Sequence, residues 1–483
     1  MQHRIVPQWL LLLLLALFIS HSYAQNPVQP DSLLASLSKL AQDSIFRIGK
    51  INITGNKTTK TGIVTREFLM HEGDTLSVKK LAEQLKKTRQ NLLNTSLFNF
   101  VDIVTASPTA GQLDIYISLR ERWYIWPMPI FELADRNINE WWLNKDLSRT
   151  NYGLFMVKDN FRGRGEQLQL LYRSGYSRRY GLYYSVPYIN KNKTSGLNIQ
   201  ATYSRNHEIA YESFENKLHY FKNQERNVRE ELGLTLGYTY RRNLYNTHAL
   251  SAEFRKASIA DTLAMINPDY FLNADSSIEY VGLMYKFKHD KRDLAAYPLK
   301  GYYYDLEVSH KIVGLGERLN NIDYVIAGYR YYIPISKRFF FAASLKGKLS
   351  GSARQPYYLM RALGYSSDFV RGYELYVQDG KHYALFKSNI KFNLMPERKV
   401  TLPGIPMDKF NTIPVAMYLN LFTDLGYVYG QEGAKNNAQN NNLLIGSGIG
   451  LDYVTYYNMV VRAEYAINRM KESGFYLHFA IPI

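Results

Sequence analysis

The chain has 483 residues, 59 Lys and Arg against 42 Asp and Glu, a formal net charge of +17, and no cysteine. The missing cysteine excludes disulfides, thiolate metal centres, a cysteine nucleophile and a lipid-modified N-terminal cysteine. Beyond the first two dozen residues no apolar run approaches the roughly 18–20 residues of a membrane-spanning helix, so a helical membrane protein is excluded too.

Residues 1–24 carry Arg4, an apolar run from Trp9 to Ile19 and the small-residue pattern Ser22-Tyr23-Ala24 before Gln25. That layout predicts a secretory signal peptide and a mature chain working outside the cytoplasm. Residues 25–45, with Leu34, Leu37 and Leu40 at helical spacing, predict a linker with at most a short helix.

Residues 46–122 read as a small α+β domain. Ile51 and Ile53 alternate with polar residues into the turn at Gly55-Asn56, which predicts a strand. Ile63, Val64, Phe68 and Leu69 predict a helix, and Leu81, Leu85 and Leu92 a second one starting near Ser77. Phe98 to Ile103 and the alternating Leu113, Ile115, Ile117 and Leu119 complete a β-α-α-β-β order with a three-stranded sheet and an exposed edge.

From residue 123 to 483 the signal is period-two alternation in segments of about ten residues. Leu419, Leu421 and Leu425 are apolar where Tyr418, Asn420 and Asp424 are polar; Phe475, Leu477, Phe479, Ile481 and Ile483 face away from Tyr476 and His478. Roughly fourteen to sixteen such segments, with the 41 tyrosines forming aromatic girdles at the strand ends, predict a transmembrane β-barrel, most simply of sixteen antiparallel strands. His478 reads as a lumenal hydrogen-bonding residue, and Arg178, Arg179, Arg241 and Arg242 as caps of strand ends. The spread of positive charge over many segments argues against nucleic acid as a partner.

Several motifs resemble the superfamily of BamA-type outer-membrane assembly factors, the bacterial surface antigen proteins. Ile53-Thr54-Gly55-Asn56, Gly73-Asp74 and Leu97-Phe98-Asn99-Phe100-Val101 look like one POTRA domain. Asp159-Asn160-Phe161-Arg162-Gly163-Arg164-Gly165, Val186-Pro187-Tyr188 and the set Asp290, Asp293, Pro298, Gly301 look like periplasmic turns of the family's barrel. Val370-Arg371-Gly372-Tyr373 is similar to the tip of its sixth extracellular loop, and Phe422-Thr423-Asp424-Leu425-Gly426 to its barrel-wall F-x-D-x-G motif. The resemblance implies that the loop folds into the lumen and that Arg371 pairs with Asp424. Asn389 and Lys391 stand where the family pattern has Glu and Arg, which implies a rewired lumenal network.

The resemblance further implies an outer-membrane barrel with its POTRA domain in the periplasm, unfolded outer-membrane proteins as clients, contact with outer-membrane lipid, and accessory periplasmic proteins as further partners. Insertion would pass through a weak seam between the first and last strands. Pro127 and Pro129, near the start of the first strand, delete N–H donors on one edge; Phe475, Phe479 and Ile483 stand on the last strand. The alternatives are an export pore for one dedicated partner and a barrel that only displays loops. No G-x-S-x-G, H-E-x-x-H, paired-carboxylate or cofactor motif appears, so no enzymatic activity and no cofactor are expected.

Overall fold

The structure is a computed structural model that describes residues 43–479 except 108, 110, 134–149, 224, 315–319, 352, 403–404, 406, 431–435 and 456–458. The expected signal peptide, most of the linker, and Ile481 and Ile483 lie outside the described residues.

The N-terminal domain contains β1 (Ile45–Thr54), α1 (Thr61–Thr65), β2 (Thr75–Ser77), α2 (Val78–Asn94), β3 (Phe98–Ala106) and β4 (Gln112–Glu121). Its sheet has the order β2-β1-β4-β3, so it has four strands where the sequence suggested three. The extra strand is only three residues long and pairs with Ile45–Arg47, too short for alternation to reveal. The first helix is also shorter than its apolar spacing suggested. Ser77 caps α2 by accepting from the Lys80 N–H, and Leu81, Leu85 and Leu92 pack its inner face on Ile48, Ile103 and Ile115. The edge strands are the three-residue β2 and the nine-residue β3, so β3 is the long edge.

All further strands but two form one antiparallel sheet of sixteen. Its first half is β5 (Ile125–Leu133), β6 (Thr150–Phe161), β7 (Glu166–Gly175), β8 (Arg178–Val186), β9 (Ser195–Asn206), β12 (Arg229–Tyr240), β13 (Asn246–Ile259) and β14 (Ser277–Asp290). The second half is β15 (Gly301–Val313), β16 (Asn320–Pro334), β17 (Phe339–Ser350), β18 (His382–Thr401), β19 (Thr412–Tyr429), β20 (Leu444–Val454), β21 (Val460–Asn468) and β22 (Ser473–Phe479). The exceptions, β10 (Glu208–Phe214) and β11 (Lys217–Lys222), form a hairpin of their own in the loop after β9. Every neighbour in the large sheet is adjacent in sequence apart from that excursion, and among the described residues no ladder joins β22 to β5.

Burial shows which solvent the sheet is built for. On β19, Leu419 and Leu421 are 47% and 56% exposed, while Asn420 and Asp424 are 1% and 0% exposed. Apolar side chains outside and charged ones inside invert the arrangement of a water-soluble protein and suit a hydrocarbon surround, where every backbone group must be satisfied within the sheet. The tyrosines divide between both faces. Tyr304, Tyr329 and Tyr331 face outward, whereas Tyr280, Tyr297 and Tyr418 are buried inside, so girdles account for only part of the excess.

The turns on the side of the N-terminal domain (proximal) are short, with one exception. β18 and β19 outrun their neighbours, whose pairing stops at Phe392 and Ala416. Residues 393–401 and 412–415 therefore leave the wall as a two-stranded ribbon with α4 (Asp408–Asn411) at its far end; α3 (Asp261–Ile266) lies in a distal loop.

Placing a cation on the outer face tests this orientation. Leu421→Arg should cost about 2–4 kcal/mol if the residue lies near the bilayer midplane, read as a lowered unfolding midpoint in heat-modifiability gels, whereas Leu421→Phe should leave it unchanged.

Candidate functional site

The lumen is organised around one guanidinium. The distal loop between β17 and β18 folds back inside the sheet and delivers Arg371, which is 2% exposed. Its Nε and Nη2 donate to the two carboxylate oxygens of Asp424 on β19 at 2.8 and 2.5 Å. Nη1 donates to Asn389 Oδ1 on β18 at 2.9 Å and to Glu464 Oε1 on β21 at 3.1 Å, and the guanidinium lies 3.8 Å from the centroid of the Phe422 ring. A two-pronged, charge-assisted bond fixes both the position and the orientation of the loop tip.

The neighbouring motif residues make room for it. Val370 and Tyr373 are buried in a cluster with Leu363, Leu385 and Val428. Gly372 adopts φ +91, and its carbonyl accepts from Asn468 Nδ2. A Cβ at Gly426 would lie 2.4 Å from Val370 Cγ2, and one at Gly446 only 1.7 Å from the Arg371 carbonyl oxygen. Gly446 carries no signal in the sequence reading; it acts because its register faces the loop tip.

From Glu464 the network continues toward the proximal end. Arg462 Nε lies 3.7 Å from Glu464, and Arg462 forks onto Asp452 at 2.6 and 3.0 Å. Asp452 also accepts from the Tyr297 hydroxyl at 2.7 Å. Tyr297 belongs to the turn between β14 and β15, which rises into the lumen, and Lys391 lies 4.2 Å from its ring centroid. Asn389 and Lys391 thus hold separate places, one on Arg371 and one over Tyr297. His478 faces the lumen, 3.6 Å from Glu464 and 3.7 Å from Glu374.

The N-terminal domain is fastened to the proximal turns. Lys60 N donates to Gly163 O at 2.9 Å and Asn160 Nδ2 to Thr59 Oγ1 at 2.8 Å. Arg66 donates to the Lys193 and Arg241 carbonyls, and Arg241 donates to both oxygens of the buried Glu67 carboxylate at 3.1 and 3.3 Å. Arg241, read from sequence as a strand cap, is instead half of this clamp. Asn94 exchanges hydrogen bonds with Asp293 O and Ala295 N. Burial raises the Asp293 carboxyl, partly offset by the Leu294, Leu299 and Lys300 amides; burial likewise pushes the junction residue Tyr124 up to about 12.

The ribbon reaches the same region. Lys399 lies 3.9 Å from Asp102 and 4.9 Å from the Phe100 ring centroid on β3, and Phe410 packs 5.9 Å from Trp123 and 6.3 Å from Trp126. Trp126 is the second residue of β5, so a ribbon rooted in β18 and β19 near one end of the sheet touches the strand at the other end. Beside it is a groove of about 590 Å³ whose walls include Trp126, Asn160, Leu97 and Met459.

The opposite end is roofed. Asn216, at the tip of the β10–β11 hairpin, donates to Asn437, Val377 and Asn440 and accepts from Gln439 and Val377. Its φ of +55 is one that asparagine tolerates. Asp379 beneath it accepts from Ser213 and Tyr365; burial raises its carboxyl and these two bonds lower it in part.

The seam candidates divide. Pro127 and Pro129 lie within β5, opposite Met156 and Leu154. Because Asp159 N bonds to Tyr124 O, even-numbered residues of β5 bond to β6 and odd-numbered ones point to the free edge. Both prolines therefore remove a donor from that edge. Phe475 and Phe479 lie on β22, paired with Tyr465 and Val461; Ile483 lies outside the described residues.

Family comparison agrees with this architecture. Residues 160–480 match the Omp85 superfamily domain. The chain belongs to the Omp85 superfamily. Residues 46–122 match the POTRA family, described as a surface antigen variable number repeat. Among solved structures, BamA from Haemophilus ducreyi lacking POTRA domains 1–3 is similar over 90% of this chain and 83% of its own, with 16% identity and a TM-score of 0.46. CdiB from Escherichia coli is similar over 90% and 74%, with 13% identity and a TM-score of 0.48. No curated protein matches. As an Omp85 member the chain is an outer-membrane β-barrel with a POTRA domain.

Two substitutions probe the network. Arg371→Ala removes the two-pronged bond to the buried Asp424 and the bond to Glu464, leaving Lys387 at 3.9 Å from the first and Arg462 at 3.7 Å from the second. It should cost about 3–5 kcal/mol, read as a lower heat-modifiability midpoint and new protease cleavage between β17 and β18; Arg371→Lys, which cannot fork, should not rescue it. Glu67→Gln weakens the Arg241 clamp by about 1–3 kcal/mol, visible as faster hydrogen exchange in residues 188–194 and 241–245 with β12 and β13 unchanged.

Proposed function

We propose that this Omp85 protein assists the insertion of β-barrel client proteins into the outer membrane, with its POTRA domain in the periplasm. The observation that carries the reading is the open sheet: among the described residues β5 and β22 are not laddered to each other, and the free edge of β5 lacks two N–H donors at Pro127 and Pro129. An unsatisfied strand edge is costly in hydrocarbon and is a template for an incoming strand.

A client would reach that edge from the periplasmic groove beside Trp126 and Met459. The POTRA edge at β3 is a first docking place for an extended segment, although Arg89 already donates to its Val101 carbonyl and the ribbon flanks Asp102. Outer-membrane lipid surrounds the outward leucines and tyrosines, and accessory periplasmic proteins would bind the POTRA faces left uncovered. In this reading Arg371 on Asp424 holds the lumen wall of β18–β21 rigid while the seam yields. An export pore for a dedicated partner fits less well, because loop 370–373 occupies the lumen, the Asn216 roof covers one end and the POTRA domain covers the other.

The test is a liposome assay that times the folding of a purified, unfolded barrel client. The wild-type protein should accelerate folding, and restoring the donors with Pro127→Val plus Pro129→Val should raise its own thermal stability while slowing the client. Phe410→Ala, which unlatches the ribbon from Trp123 and Trp126, should speed it. Absence of acceleration together with steady ion conductance through the wild-type protein would replace this reading with the pore.

A further inference from the structure

The distal half of the lumen holds a second feature. Behind the loop that carries Arg371, and below the roof, lies a chamber of about 660 Å³, within the size range of ligand sites. Seven of its lining side chains are Arg or Lys and two are Glu or Asp.

Part of that charge is balanced. Arg229 and Arg255 share Glu231 at 3.7 and 3.3 Å, Lys311 pairs with Glu253, and Asp368 is taken by Lys346 at 2.6 Å. Arg179, Lys348 and Arg361 have no carboxylate within ion-pair distance among the described residues. Lys348 is 7% exposed; among the described residues its Nζ donates to the Arg361 carbonyl, and it lies 5.3 Å from the Tyr324 ring centroid. Arg361 is held over Tyr365 at 5.2 Å. Aromatic faces fix both cations in place without neutralising them.

Arg173 and Arg179 stand directly opposite each other across the β7–β8 ladder, and both line the chamber, so two guanidiniums face the same space.

We propose that this chamber binds a multivalent oxyanion, specifically a short acidic peptide segment. Guanidinium forks take carboxylates in two-pronged fashion. The amide and hydroxyl side chains of Gln200, Thr202 and Ser204 along β9 offer partners to peptide backbone. The choice of a peptide rests on the protein-handling reading above; the anion chemistry does not, and free phosphate is the other source of it.

Full-length protein in neutral detergent at low salt is titrated calorimetrically with tetraglutamate, tetraglutamine and inorganic phosphate. Tetraglutamate should bind and tetraglutamine should not. Lys348→Gln and Arg361→Gln should each weaken binding roughly tenfold, the loss of one charged hydrogen bond. Arg361 lies on the loop and not in the wall, so its variant keeps the test open if Lys348→Gln fails to fold. Equal heats for the two peptides, or variants that bind tetraglutamate like the wild type, would overturn the proposal. Phosphate binding as tightly as tetraglutamate and displacing it would overturn the peptide assignment. The titration contains no client, so its failure and the failure of catalysed insertion are read separately.

Discussion

The guanidinium of Arg371 is the constraint on which the lumen depends. A charge withdrawn from water is tolerated only when its partners are nearly complete, and here two carboxylates, an amide oxygen and an aromatic face surround it. Holding that residue inside forces the whole loop between β17 and β18 into the barrel. The loop in turn forms one wall of the distal chamber and supplies Val377 and Asp379 to the roof. Gly426 and Gly446 leave the space that makes the approach possible.

The same cation begins a relay of contacts that runs the length of the lumen. Glu464, Arg462, Asp452 and Tyr297 lead from the loop tip to the turn between β14 and β15, and that turn is hydrogen-bonded to Asn94 of the POTRA domain. A domain clamped to several turns and a loop anchored near the other end therefore share one line of buried polar groups. Polar contacts in a low-dielectric interior strengthen one another, so the loop tip and the proximal turn are tied through the same side chains.

Much of the fold was legible because lipid and lumen impose opposite polarity on alternate residues. Leu421 and Asp424 could be assigned to opposite faces from spacing alone, and sixteen strands lay within the range that length allowed. The pairing of Arg371 with Asp424 came from the family resemblance, while alternation independently supplied the inward direction of Asp424. Less visible were contacts that depend on distant turns meeting. Arg241 looks like any charged residue at a strand end, Glu67 like a solvated helix residue, and nothing near Phe410 says that its ribbon crosses to Trp126. β2 is too short to carry a period, and Gly446 has significance only once the loop is in place.

The two prolines of β5 give the open edge a chemical sense. Each loses its N–H but keeps its carbonyl, and the carbonyl of an odd-numbered residue points to the same side as the missing donor would. Over residues 127–129 the edge therefore accepts hydrogen bonds and donates none. A neighbouring barrel offering a complete strand would find its acceptors unmatched, which discourages edge-to-edge association in the plane of the membrane. A strand that brings unpaired N–H groups meets a row of waiting oxygens, so the boundary of this sheet selects by polarity before any side chain is read.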